Sequence, residues 1–96
     1  QFANKRLHAL YETEADARKY PKAVVQAFFD VMATIRGAKD ERDLYALKSL
    51  RFEMLKGERT DQRSIRLNKQ FRLILRIEAD PLGNIIIVID IEDYHR

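Results

Sequence analysis

The 96 residues contain no cysteine and no tryptophan, and only 3 glycines, 2 prolines and 2 histidines. Without cysteine there are no disulfides, no thiolate zinc site and no thiol nucleophile, and His8 and His95 alone do not make a multi-histidine metal centre. No metal and no cofactor is expected. The longest apolar run, Ile85 to Ile89, falls far short of the ~20 residues that cross a bilayer. No charged-then-apolar leader precedes the first helical pattern. The expectation is a soluble, cytoplasmic chain with no membrane partner. Because the sequence begins at Gln1 instead of Met, a few N-terminal residues are expected to be missing. Any catalysis must then use His, Tyr, carboxylates, Lys or Arg.

At 46% hydrophobic residues the chain has material for one small core, which predicts a single domain over residues 1–96. The 18 basic and 15 acidic side chains give a net charge of +3, and that figure hides a gradient. Residues 1–48 carry +2, residues 49–76 carry +5 and residues 77–96 carry −4. A basic middle of this kind fits a polyanion such as nucleic acid, and equally a solvated charged face.

Leu7, Leu10, Tyr11 and Ala15 recur at spacings of three and four, which predicts a short amphipathic helix over residues 5–16. Pro21 is expected at the first position of a second helix, where its missing N–H costs nothing. Val24, Val25, Phe28, Val31, Met32 and Ile35 form that helix's apolar stripe, and Gly37 is expected as its left-handed stop. Leu44, Leu47 and Leu50 are expected to dock a further helical turn. After residue 50 the period changes to two. Ser64, Arg66 and Asn68 alternate with Ile65 and Leu67, and Arg72 and Arg76 alternate with Phe71, Leu73, Leu75 and Ile77. Joining these strands through Asn68-Lys69-Gln70 pairs Ile65 with Leu73 and sets Arg66 opposite Arg72. Like charges directly opposed are mildly destabilising, so the pair calls for an anion or for solvent. Asp80 to Asn84 supply a turn, Ile85 to Ile89 read as a central strand apolar on both faces, a strand is expected around Arg51 to Leu55, and Phe2 is expected to end an N-terminal strand. The fold class is α+β, with N-terminal helices packed on one face of a mostly antiparallel sheet.

Two constellations carry chemistry. Asp93-Tyr94-His95 follows the last strand: histidine passes protons near neutral pH, tyrosine offers a stacking ring, and aspartate can orient an imidazole. The plain alternative is a polar chain end. The second group comprises Lys56-Gly57 with Arg59, then Ser64, Arg66, Asn68 and Arg72. Guanidinium groups grip phosphate in a bidentate manner and stabilise charge that develops on it. Their plain alternative is the solvent side of amphipathic strands, with Asn68 a turn former. His8 reads as a surface residue. Asp90 and Glu92 are separated from Asp93 by alternation, so no magnesium site is expected.

The order Phe2, Lys5, Leu7 and Leu10, then Leu55-Lys56-Gly57-Glu58-Arg59, Ser64-Ile65-Arg66-Leu67-Asn68, Phe71-Arg72-Leu73 and a terminal Asp93-Tyr94-His95 resembles the HigB branch of the RelE-like toxins, also called plasmid maintenance system killer proteins. The resemblance spans nearly the whole chain. It implies a RelE-like fold and a ribosome-dependent endoribonuclease that cleaves mRNA in the ribosomal A site without a metal. It also implies neutralisation by a HigA-type helix-turn-helix antitoxin, through which alone operator DNA would be bound. By position, His95, Arg72, Asp93, Tyr94 and Lys56 look like catalytic residues, and Arg66, Asn68, Ser64, Arg63, Arg59 and Arg76 like the RNA-binding set. Arg63 departs from the family, many of whose members have an aromatic residue there. A non-catalytic RNA-binding or protein-interaction module on the same fold is the rival reading.

Overall fold

The protein is described from a computed structural model, which covers residues 2–15, 17–38, 41–55, 57 and 61–93. Asn4 begins helix α1 (Lys5–Thr13): its Oδ1 accepts from the backbone N–H groups of Arg6 at 2.8 Å and Leu7 at 3.3 Å. Two N–H groups that lack intrahelical partners are thereby satisfied. The helix stops earlier than its periodicity predicts, because Glu14 turns left-handed at φ 56° and returns its N–H to Leu10. Ala17–Lys19 follow as a separate 3₁₀ turn. Pro21 sits one residue ahead of helix α2 (Lys22–Gly37), in extended geometry, and its carbonyl accepts from Val24 and Val25. Gly37 is not a left-handed stop. It is the last helical residue, and the helix ends because Ala38 is extended. Helix α3 (Glu41–Tyr45) and a 3₁₀ turn at Lys48–Leu50 complete the helical part. Of the three leucines expected to dock there, Leu44 is fully buried and Leu50 packs on the core, but Leu47 is exposed.

Strands β1 (Glu53–Met54), β2 (Gln62–Arg66), β3 (Phe71–Asp80) and β4 (Gly83–Asp93) form one antiparallel sheet in the order β1-β2-β3-β4. The expected register holds: Ile65 pairs with Leu73 and Arg66 with Arg72. One buried face fixes the parity, since a one-residue slip would send every apolar side chain to solvent. The strand apolar on both faces is, however, an edge of the described sheet and not its centre. The interior positions go to β2 and β3, and in β3 Leu73, Ile74 and Leu75 are all fully buried. The strand predicted around residues 51–55 shrinks to two residues, and the expected N-terminal strand is a single parallel bridge from Phe2 to Val88.

Between β3 and β4 the register shifts: Ile74 faces Asp90 while Leu75 faces Val88, so Ile89 is an extra, bulged residue. Its physical reason lies in the sequence. Without the bulge, the alternation that buries Val88 would aim Asp90 and Glu92 at the core, where unpaired carboxylates are costly. With it, Ile91 joins Val88, Leu73, Leu75 and Ile65 on the face that meets the helices. Leu7 and Leu10 of α1, Val24, Phe28, Val31 and Met32 of α2, Leu44 and Phe52 fill that core. Removing a side chain such as Phe28 from water contributes about 1.5–3 kcal/mol. No described helix is long and apolar enough to cross a membrane.

Candidate functional site

Because the helices cover one side of the sheet, the opposite face carries the polar alternation of β2 and β3. Across the strands run two neighbouring rows: Arg66, Arg72 and Glu92, then Ser64, Ile74 and Asp90. The opposed arginines are each held by main-chain oxygens. Arg66 Nε donates to the Asn68 carbonyl at 3.3 Å. Arg72 is held more tightly, with Nε to Ser64 Oγ at 2.8 Å, Nη2 to the Arg51 carbonyl at 2.6 Å and Nη2 to the Ser64 carbonyl at 3.5 Å. Such contacts and the Glu92 position in the same row offset the repulsion between two like charges. The face thus presents half-buried guanidinium groups whose directions are set by the backbone.

The structure divides the remaining candidates. Ser64 belongs to this face, but at 1% exposed it is buried beneath Arg72 and out of reach of a large ligand. Arg76 is on the same face, with Nε and Nη2 each 2.9 Å from Glu78 Oε2. Asn68 is a turn former: its Oδ1 accepts from the N–H groups of Gln70 at 2.8 Å and Phe71 at 2.7 Å, closing the β2–β3 loop. Arg63 does not join the arginine face. It stands in register with Leu75, on the side of the core, with Nη1 donating to the Gln62 carbonyl at 3.1 Å. An aromatic residue suits that position for the same reason. Asp93 is also on the other side, opposite Phe71, and accepts from Gln70 Nε2 at 3.1 Å. The bulge at Ile89 is what moves it there. Lys56, Arg59, Tyr94 and His95 lie outside the described residues.

Sequence reasoning missed Arg51, whose backbone carbonyl takes a hydrogen bond from Arg72 and whose φ of 48° is left-handed. No side-chain signal marks it, since the group used is one that every residue possesses. Asp90, which the alternation considered only for a metal, instead accepts from the α1 cap Asn4 Nδ2 at 3.3 Å and from the Ile91 N–H at 2.8 Å. Among the described residues no cluster of three or more His, Cys, Asp or Glu is arranged to hold a metal. Tyr20, packed edge-on against Phe71 with ring centroids 6.0 Å apart, has its phenol pushed above the ordinary value by burial and then by the Asp90 carboxylate, against the opposing pull of Arg6. A hollow of about 570 Å³ lies between the Ala17–Lys19 turn and α2, lined by Tyr20, Val25 and Phe29 among others, and takes no residue from the arginine rows. A phosphate-binding face need not be a deep cavity, so the charge row is the better candidate site.

A toxin described as YoeB/ParE from Agrobacterium tumefaciens superposes over 98% of this chain and 96% of its own, with a TM-score of 0.57 and 16% identity. That likeness shows the RelE-like fold alone. In sequence, the chain is 36% identical over 76 residues to Toxin HigB-1 of Vibrio cholerae serotype O1, covering 79% of this chain and 80% of that protein. The family model for the HigB-like toxin, the RelE-like toxin of the type II toxin-antitoxin system HigB, matches residues 1–95, and the chain belongs to this family.

Proposed function

We propose that this toxin is a ribosome-dependent endoribonuclease that cuts mRNA in the A site and so stops translation, and that a HigA-type helix-turn-helix antitoxin neutralises it. Membership of a type II toxin family already implies an antitoxin. The observation that carries the reading is the Arg66–Arg72 row, with Arg72 held by Ser64 and by the Arg51 carbonyl.

RNA brings its own nucleophile, the 2′-hydroxyl beside each phosphate. Its attack on phosphorus breaks the bond to the 5′-oxygen and leaves a 2′,3′-cyclic phosphate. The step needs a proton acceptor for the 2′-hydroxyl, a donor for the departing 5′-oxygen, stabilisation of the pentavalent phosphate and in-line geometry. No metal-activated water is required, because the attacking oxygen is part of the substrate. Arg72 and Arg66 neutralise the charge that develops on phosphate, with Lys56 as a further cation. His95 transfers a proton, and Tyr94 stacks on a base. Asp93, in register with Phe71 at the strand exit, accepts from Gln70 Nε2 and stands outside the Arg66–Arg72 row. The ribosome supplies the in-line geometry that so small a set of groups does not.

Purified toxin should cut a defined message in programmed ribosomes and barely touch the same RNA when it is naked. Equal rates on both substrates would refute ribosome dependence. Binding to programmed ribosomes with no cleavage would replace the nuclease with a non-catalytic RNA-binding module.

A further inference from the structure

Arginine carries a long, rotamer-rich side chain, and a guanidinium free to swing would have to be ordered at the moment charge develops on phosphate. Arg72 is ordered in advance. Its Nε and Nη2 groups point at three protein oxygens, Ser64 Oγ, the Ser64 carbonyl and the Arg51 carbonyl. Ser64 is fixed because it is buried, at 1% exposed, in the middle of a paired strand between Glu53 of β1 and Ile74 of β3. Arg51 is fixed differently. It adopts φ 48° and ψ 52° at the end of the Lys48–Leu50 turn, returns its N–H to the Lys48 carbonyl at 3.1 Å, and is followed by Phe52, which is buried and packs edge-on against Tyr45. A non-glycine residue in that region is strained and persists only when its surroundings over-determine it. Here the strain aims a carbonyl at Arg72.

We propose that Ser64 and the left-handed Arg51 carbonyl form a cradle that sets the direction of the Arg72 guanidinium, making Ser64 a positioning residue for phosphate stabilisation. The inference rests on the proposed nuclease reading for its consequence, but the cradle itself can be observed without cleavage. A hydroxyl that merely satisfies itself inside the sheet would stabilise the fold and nothing else. A positioning hydroxyl acts only through Arg72.

Two measurements separate these cases. The ¹⁵N–¹H signal of Arg72 Nε, assigned by its loss in Arg72→Ala, should be rigid and slow to exchange in the wild type. It should become mobile in Ser64→Ala, with the amide spectrum confirming the fold, and stay rigid in Ser64→Thr, which keeps the hydroxyl. An Nε signal as mobile in the wild type as those of exposed arginines would overturn the cradle outright, and so would one that stays rigid in Ser64→Ala. In single-turnover cleavage at saturating ribosomes, Ser64→Ala should slow the rate by roughly 10- to 100-fold with ribosome affinity unchanged. Ser64→Thr should recover most of that rate, and Ser64→Ala should cost nothing further in an Arg72→Ala background. Losses that multiply in the double variant would overturn the positioning role. An intact, rigid Nε in a wild type that does not cleave would instead sink the nuclease reading and leave the cradle standing.

Discussion

Arg72 and His95 are assigned different work, and their variants should fail differently. Arg72 lies in an interior strand with its side chain on the polar face, so Arg72→Ala removes fixed positive charge with no core side chain lost. By analogy with a deleted oxyanion donor, cleavage should fall about 10²-fold or more. The shape of the pH–rate profile should not change, because Arg72 is assigned charge stabilisation and no proton transfer. His95→Ala should instead flatten the limb expected near an imidazole pKa of roughly 6 to 7. Single-turnover cleavage between about pH 5.5 and 8.5 measures both, and a His95→Ala protein with the wild-type profile and rate would remove His95 from proton transfer. The arginine pair was legible in the sequence, because Ile65, Leu67, Leu73 and Leu75 fix which face is buried and the short loop at Asn68-Lys69-Gln70 then sets the register. Arg63 entered the RNA-binding set through the resemblance and its charge, whereas its two-residue spacing from Ile65 puts it on the apolar side of β2, in register with Leu75. Asp93 was not legible in that way. Simple alternation from Val88 sends it to the arginine face, and one bulged residue reverses it.

At the level of elements, periodicity located α1, α2 and the β2–β3 hairpin, but their ends were decided by backbone geometry that composition does not signal. Glu14 and Arg51 occupy left-handed conformations usually given to glycine, while Gly37, the obvious candidate, remains helical. The edge position of β4 was hidden for another reason. Ile87 is buried on the arginine side of the sheet and Val88 on the helix side, so an edge strand has the two-sided apolar pattern of a central one. The link between the Ala17–Lys19 turn and the sheet can be tested by pH. Tyr20 packs on Phe71, and burial together with Asp90 raises its pKa in the folded protein. The folded state therefore holds the phenolic proton more strongly than the unfolded chain does. The associated stability is complete below the unfolded value of about 10 and is lost as pH climbs through the folded value. Tyr20→Phe lacks this proton, so the stability difference between wild type and variant should shift in favour of the variant between about pH 9 and pH 11. Urea midpoints measured in parallel give that difference. A gap that stays constant over the range would mean that Tyr20 ionises as easily folded as unfolded.

For the molecule as a whole, the +5 segment of residues 49–76 becomes β1, β2 and much of β3, and the −4 segment becomes the rest of β3 and β4. Strand order therefore turns a gradient along the chain into a gradient across the sheet. Parity then sorts the central arginines between faces, with Arg66, Arg72 and Arg76 on one side and Arg63 on the other. If RNA phosphate meets the open face, association should depend on salt through the counterions that each arginine displaces. Logarithmic plots of ribosome or RNA affinity against salt should become shallower by about one unit for Arg66→Ala, the loss of one phosphate contact. Arg63→Ala removes the same formal charge from the helix side and should leave the slope unchanged, apart from a small uniform shift in affinity from the altered net charge. Titrations of labelled toxin at several salt concentrations, with both variants at equal folded fraction, provide the comparison. Equal changes in slope would show that binding responds to net charge alone. A change confined to Arg63→Ala would place the RNA on the helical side and remove the arginine face as the docking surface.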